Sequence, residues 1–254
     1  MTLLSVKELS KTYGQGSKPI ISTITFDLNK GECLALVGES GSGKSTLARC
    51  LLRIEPIDSG RICLNGSSYE KLSERQLKPF RKNIQAVFQN PAASLNPKLK
   101  IKDALLDPYM QFKSEVSLAH FSYTSKEAFV NQLLEAVELP TSLADRYPHE
   151  LSGGQRQRVT IARAISIEPE LVILDEPTAS LDVISQNAVL QLLTDLRTTL
   201  NLSYLFISHD LAAVNQVSQR MMVMKDGQIV DQFEQEHLLA EERHAYTKEL
   251  VSIF

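Results

Sequence analysis

The sequence has few cysteines, no long apolar run and no excess of positive charge, and each shortage removes a class of protein. Cys33, Cys50 and Cys63 are odd in number and none stands in a CxxC pair. That disfavours a disulfide framework or a zinc site, and buried free thiols in a reducing compartment are expected instead. No segment approaches the roughly 18 consecutive apolar residues of a membrane span. The N-terminus, Met-Thr-Leu-Leu-Ser-Val-Lys-Glu, carries an early acid and no sustained apolar stretch, so it does not read as a secretory signal. The net charge of −3 leaves no global basic field for nucleic acid, and Arg156-Gln-Arg158 reads as a helix face. Internal repeats and low-complexity tracts are also lacking. What remains is ordinary for a globular chain: 254 residues, 43% hydrophobic and 22% charged. That length suits one large domain, or one domain with an inserted lobe.

The most informative segment is Gly38-Glu39-Ser40-Gly41-Ser42-Gly43-Lys44-Ser45-Thr46, a GxxxxGK(S/T) phosphate-binding loop. It follows the apolar run Leu34-Ala35-Leu36-Val37. It precedes a helical stripe through Leu47, Cys50, Leu51 and Ile54. Strand, glycine turn and helix are the context in which the motif binds phosphate. The glycines let backbone N–H groups point at an anion, and the helix N-terminus adds partial positive charge. Lys44 can reach the β- and γ-phosphates, and the Ser45 hydroxyl can ligate Mg²⁺. The chain is therefore expected to bind a nucleoside triphosphate.

The rest of the pattern predicts an α/β fold of the P-loop NTPase type, with a central, mostly parallel sheet. Residues 3–9 and 20–28 read as antiparallel strands of an N-terminal β-subdomain, joined by a turn at Gly14-Gln15-Gly16-Ser17. Strands are also expected at 61–65 and at 84–89, the latter ending at Gln89. Between Asn90-Pro91 and about 165 the pattern is helical and more polar, through Phe129, Leu133, Leu134 and Val137, with 113–125 as a candidate loop. This span is expected to be a helical lobe inserted into a core of 1–89 and 166–254. Buried strands 171–174 and 204–207 flank a helix over 183–200, as in a parallel sheet covered on both faces. Residues 221–230 read as a hairpin turning at Asp226-Gly227.

Open α/β sheets bind ligands at the carboxyl ends of their strands. Four strand ends carry useful chemistry here: Gly38 onward, Gln89, Asp175-Glu176 and Ser208-His209. Asp175 can hold Mg²⁺ and Glu176 can orient or deprotonate an attacking water. His209 can sense a γ-phosphate, and Gln89 can fix a water or touch the metal. Taken singly, each also fits a blander role: a solvated acidic turn, a structural histidine, a surface glutamine. Leu151-Ser152-Gly153-Gly154-Gln155 supplies a second glycine-rich helix start. Ser152 is its N-cap, and a helix over 155–167 turns Val159, Ala162 and Ile165 inward. One triphosphate loop and two anion-ready helix starts suggest that the second completes a neighbour's site.

In order, Tyr13, the loop 38–46, Gln89, LSGGQ at 151–155, Leu-Val-Ile-Leu-Asp-Glu-Pro at 171–177, Ala-Ser-Leu-Asp at 179–182 and His209 resemble the ATP-binding cassette (ABC) ATPases over essentially the whole chain. The resemblance implies ATP with Mg²⁺, and head-to-tail dimers with two ATPs between one subunit's loop and the other's LSGGQ. It implies adenine stacking on Tyr13, and Mg²⁺ held by Ser45 and Gln89 with Asp175 in support. Glu176 would be the base, His209 the γ-phosphate switch, and Asp182 an interface residue coupling the two sites. Val87-Phe88-Gln89-Asn90-Pro91, Ser94-Leu95-Asn96-Pro97, Arg146-Tyr147-Pro148-His149-Glu150 and Tyr246-Thr247-Lys248-Glu249-Leu250 resemble the peptide/nickel import branch. Ala245 stands where that branch usually has proline, and no cysteine follows Cys63, so no iron–sulfur cluster is expected. The branch implies membrane permease subunits, a second ABC ATPase and, indirectly, an extracytoplasmic substrate-binding protein. It implies a peripheral place on the cytoplasmic face of a bacterial membrane. Peptide, nickel and metal–chelator cargoes all fit. The alternatives are an exporter or lipoprotein-release ATPase, a soluble non-transport ABC protein, a non-hydrolysing scaffold and a P-loop kinase. LSGGQ opposes the kinase, and intact Glu176 and His209 oppose the scaffold.

Overall fold

A computed structural model describes residues 1–14 and 18–252. In chain order the first elements are β1 (Thr2–Lys11), β2 (Ile21–Asn29), β3 (Cys33–Val37), α1 (Lys44–Leu51), β4 (Ser59–Leu64), β5 (Ser67–Ser68) and α2 (Glu74–Asn83). Next come β6 (Ile84–Val87), α3 (Pro91–Ser94), α4 (Ile101–Phe112), α5 (Lys126–Ala136), α6 (Gly153–Ile165), β7 (Leu171–Asp175) and α7 (Val183–Thr199). The chain closes with β8 (Ser203–Ser208), α8 (Leu211–Val217), β9 (Arg220–Lys225), β10 (Gln228–Glu234) and α9 (Ala245–Ser252). By internal contacts it divides into Met1–Arg81 with Ser203–Phe254, and Lys82–Leu202.

In the first unit, β1 pairs antiparallel with β2 and β4, with Val6 opposite Phe26 and Ser5 opposite Cys63. This is the N-terminal β-sheet that the alternation predicts. Leu4, Val6, Ile24 and Leu28 are buried on it. The turn at Gly14-Gln15-Gly16-Ser17 falls mostly on residues 15–17, outside the described residues. A second sheet carries β3 between β8 and β9, parallel to both, with β10 antiparallel at the edge of β9. All five residues of β3 and all six of β8 are buried, which is why they read as unbroken apolar runs. Asp226 and Gly227, at φ of 47° and 80°, form the expected hairpin turn.

One expectation fails here, and one helix has no signal in the sequence pattern. Ile54 is not on the α1 stripe: the helix ends at Leu51, Arg53 takes a left-handed φ of 54°, and Ile54 is 57% exposed. Helix α2 is not legible in the pattern, because Leu77 is its one buried residue and Pro79 inside it reads as a breaker.

In the second unit, β6 and β7 are parallel, with Val87 beside Leu174. Helices α4, α5 and α6 pack against one another. Their buried residues include Leu105 and Tyr109 of α4, Phe129 and Leu133 of α5, and Val159, Ala162 and Ile165 of α6. The segment 113–125 is a loop, as expected, and it brings aromatic anchors. Tyr123 stacks on Tyr109 with ring centroids 4.7 Å apart, and Phe121 meets Phe129 edge-on at 6.4 Å. Contacts join β6, β7 and α7 to the same unit as these helices.

Candidate active site

In the first unit the phosphate-loop sequence leaves β3 and enters α1. Gly38 has a φ of 152°, and a Cβ there would lie 2.2 Å from the Met224 carbonyl oxygen. Gly43 caps α1 at a φ of 107°, and a Cβ there would lie 2.8 Å from the Ile20 carbonyl oxygen. Both positions exclude any side chain, so the loop's path is set by the backbones behind it. Inside the loop, the buried Lys44 ammonium donates to the Gly38 carbonyl at 2.6 Å, the Glu39 carbonyl at 2.8 Å and Ser42 Oγ at 3.4 Å. Glu39, Ser40, Gly41 and Ser45 are exposed, and Thr46 is half-buried. The loop therefore offers solvent a rim of backbone and hydroxyl groups over a buried cation. Such a surface accepts an anion.

Register places a second predicted residue at the same edge. Val37 of β3 lies beside Ser208 of β8, so Gly38 and His209 leave neighbouring parallel strands together. His209 is exposed, while Asp210 after it caps α8 by accepting from Ala212 and Ala213 N–H at 2.9 and 3.1 Å. Tyr13, just past β1, is 42% exposed, with the Lys11 ammonium 5.3 Å from its ring centroid. The ring is thus partly exposed on this unit, with a cation over it.

In the second unit the same rule holds. Gln89 follows β6 by two residues and is exposed. Asp175 ends β7, buried at 8% exposure, and the half-buried Glu176 turns the chain with a left-handed φ of 51°. Because Val87 and Leu174 are partners, Gln89, Asp175 and Glu176 emerge at one sheet edge.

The LSGGQ segment is a capped helix start. Ser152 Oγ accepts from Gln155 N–H at 3.2 Å, and Gln155 Oε1 accepts from Ser152 N–H at 2.9 Å. This reciprocal box starts α6 at Gly153, two residues earlier than the apolar spacing predicts, and Gly153 and Gly154 form the helix's first turn. The start of α7 sits against them: the nearest side-chain atoms to a Cβ on Gly153 or Gly154 are Leu181 Cδ2 at 3.7 Å and Ser185 Oγ at 3.4 Å. Asp182 caps α7, accepting from Ser185 N–H at 3.0 Å and Ser185 Oγ–H at 2.8 Å, and these bonds hold its carboxyl below the usual range. Val183 and Ile184 beside it are 73% and 83% exposed.

Ser45 in the first unit carries a hydroxyl, and in the second unit Gln89 and Asp175 carry an amide and a carboxylate oxygen. Among the described residues no group of three or more His, Cys, Asp or Glu gathers as a metal cage. One contact to the loop escapes the sequence reading: the Tyr246 hydroxyl accepts from the Glu39 N–H at 3.2 Å. Its signal was present in the tail segment 246–250, which carries no apolar strand or helix cap pointing to a site.

Parallel strands ending in a phosphate loop and in paired acids define a P-loop nucleoside triphosphatase of the α/β class. The ABC transporter family matches residues 21–179. The oligopeptide transport ATP-binding protein AppF of Bacillus subtilis is 43% identical over 240 residues, covering 93% of this chain and 70% of that protein. A Brucella abortus protein named for peptide import is 40% identical over 259 residues, covering 98% and 76%. Among solved structures, a post-hydrolysis dimer of an ATP-binding cassette bound to ADP and Pi aligns with TM-score 0.80 at 27% identity, over 92% of this chain and 99% of that one. The cbiO1 protein of Clostridium perfringens, part of the ABC transporter complex cbiONQ, aligns with TM-score 0.81 at 28% identity, over 95% and 92%. The chain belongs to the ABC transporter ATPases, and its fold is theirs. It is an ATP-binding ATPase.

Proposed function

We propose that this chain is the energy-coupling ATPase of a peptide importer, a peripheral protein on the cytoplasmic face of a bacterial membrane. The observation that carries this reading is identity of 40–43% over 93–99% of the chain with proteins named for peptide or oligopeptide transport. It agrees with the segments 87–91 and 94–97 and with the tail. No helix among the described residues is long and apolar enough to cross a membrane, so attachment would run through permease subunits. A cleft of about 580 Å³ in the second unit, lined by Ser94, Leu95, Pro97, Leu99, Asp107 and Arg163, supports a seat for a permease loop.

In this reading the chain is one nucleotide-binding domain, with the helices of about 90–165 as its inserted lobe. Two copies, or this chain and a second ABC ATPase, close head to tail on two ATPs. Tyr13 stacks on adenine. Gly38 to Thr46 cradle the phosphates through backbone N–H groups, with Lys44 on the β- and γ-phosphates. Ser152, Gly153, Gly154 and Gln155 present the N-terminus of α6 to the partner's γ-phosphate, and Asp182 lies at the interface. Ser45, Gln89 and Asp175 would hold Mg²⁺, which when bound supplies charge neutralisation across the phosphates. Glu176 orients and deprotonates the attacking water, and His209 contacts the γ-phosphate. Positioning and electrostatics carry the rate, because phosphoryl transfer leaves little covalent work to the protein.

The reading is tested by affinity capture of the chain from detergent-solubilised membranes, followed by mass spectrometry. Multi-span permease subunits with a second ATPase are expected; ribosomal or other soluble partners alone would overturn it. Uptake by the recovered complex in vesicles then separates a peptide cargo from nickel or a metal–chelator complex. Glu176→Gln is expected to trap an ATP-bound dimer and cut steady-state turnover at least ~100-fold, within the range of removing a general base; unchanged turnover would remove Glu176 from the role of base.

A further inference from the structure

The tail that resembles a branch signature does physical work in the first unit. Asp231, on β10, gathers the start of α9. Its carboxylate accepts from the His244 N–H at 2.8 Å, the Thr247 hydroxyl at 2.8 Å and Arg243 Nη1 at 3.3 Å. His244 Nδ1 accepts in turn from the Tyr246 N–H at 3.1 Å. Thr247 and Tyr246 are 1% and 3% exposed, so the start of α9 is tied down and is not a loose tail.

The network delivers Tyr246 to the phosphate loop. The ring lies under the Lys225 ammonium, 4.2 Å from nitrogen to centroid. Its hydroxyl takes the Glu39 N–H at 3.2 Å, while the carbonyl of Glu39 takes Lys44 Nζ at 2.8 Å. The second residue of the loop is thus held on both sides, by Lys44 from within and by Tyr246 from the C-terminal helix. A third tie comes from the hairpin, where the Gly227 N–H donates to the Ser42 carbonyl at 3.1 Å. Burial pushes the Tyr246 phenol up, so it keeps its O–H at physiological pH.

We propose that Tyr246 is a positioning residue for nucleotide binding: the strap from Asp231 through α9 to the Glu39 amide holds the phosphate loop in its receptive shape before ATP arrives. The inference rests on residues 38–46 being the triphosphate loop. A loop already ordered binds more tightly, because the ligand does not have to order it. Loss of the strap therefore weakens binding while leaving the chemical step intact once ATP is bound.

The test is Tyr246→Phe in the full chain. It keeps the ring and the Lys225 contact and removes the hydroxyl, which accepts from the Glu39 N–H and also hydrogen-bonds the Glu39 side chain. Titration with Mg²⁺-ATP and steady-state kinetics are read beside thermal melting of the nucleotide-free protein. The expected result is a fall in ATP affinity of about fivefold, the worth of one hydrogen bond, with KM raised to match and kcat unchanged. The melting temperature of the nucleotide-free protein should fall by no more than about 4 °C, the scale of about 1 kcal/mol in a chain of this size. Asp231→Ala should weaken ATP binding too, and adding Tyr246→Phe to it should cost little more, because both act through one route. Unchanged affinity in Tyr246→Phe overturns the proposal, as does a fall in kcat with KM unaltered, or full additivity with Asp231→Ala. Lys44→Ala separates the premise: if it binds ATP as tightly as wild type, the reading of the loop fails; if it binds weakly while Tyr246→Phe does not, the strap alone fails.

Discussion

Removing the Glu168 carboxylate tests what shapes the loop between α4 and α5. Glu168 follows α6 with a left-handed φ of 50°, and its side chain accepts from three successive backbone N–H groups: Ala119 at 2.7 Å, His120 at 2.8 Å and Phe121 at 2.8 Å. His120 Nδ1 lies 3.3 Å away. The third N–H belongs to Phe121, whose 8% exposed ring packs edge-on to Phe129. A hydrogen bond to a charged group contributes about 1.5–3 kcal/mol when buried. The Ala119 and His120 bonds are exposed, so water replaces them and each keeps only about 0.5 kcal/mol, whereas the part-buried Phe121 bond keeps about 1.5–2. Glu168→Ala is therefore expected to destabilise the fold by about 2.5–3 kcal/mol, and Glu168→Gln, which keeps one acceptor oxygen, by about half of that. At a urea m-value of about 2.5 kcal/mol/M, the alanine variant should unfold about 1 M earlier. Hydrogen exchange at 119–121 should lose protection in step.

The pH dependence has a definite sign. Burial pushes the Glu168 carboxyl up, but the backbone donors outweigh it and hold the group below its ordinary range. A lowered folded value means that the contribution is complete above the unfolded carboxyl's value of about 4.3 and fades as pH falls through the folded one. The gap between wild type and Glu168→Gln should stay level from neutral pH down to about 5 and close only in stronger acid. A Glu168→Ala variant within ~0.5 kcal/mol of wild type, with unchanged exchange at 119–121, would refute the reasoning.

Other outcomes follow from the same structure. Gly38→Ala should abolish nucleotide binding and lower stability by about 2–4 kcal/mol, since the new Cβ meets the Met224 carbonyl at 2.2 Å; ordinary ATP titration in that variant would show that the loop can bypass β9. Phe129→Ala removes a side chain touched by the rings of Tyr109, Phe121 and Tyr123 and should cost about 3–5 kcal/mol in urea unfolding. Burial lifts the Cys50 thiol to about 11, so in the native protein near pH 8 it should react with a thiol reagent far more slowly than the half-buried Cys63. Equal rates for the two would contradict the packing around α1.

What the sequence determined by itself is the part of this protein written in short-range code. Leu34–Val37, Leu171–Leu174 and Tyr204–Ile207 read as buried parallel strands because both faces of each are covered, and the phosphate loop, Asp175-Glu176 and His209 follow directly from where those strands end. One cap was legible too: Ser152 is a residue type whose side chain satisfies the orphan N–H groups of a helix start. Where local signals were weak, the pattern failed. Helix α2 buries a single leucine and carries Pro79, so its support is tertiary, including Tyr69 with its ring 5.2 Å from Phe80. Ile54 continued an apolar period that the helix itself did not. Only the folded chain could decide which β-strand backs Gly38, which carboxylate grips residues 119–121, and that Tyr246 reaches Glu39 across 207 positions of sequence. Those contacts join groups that are ordinary in their own neighbourhoods. A tyrosine, a glutamate or a methionine carbonyl acquires its role from what packing brings opposite it, and periodicity along the chain carries no record of that partner.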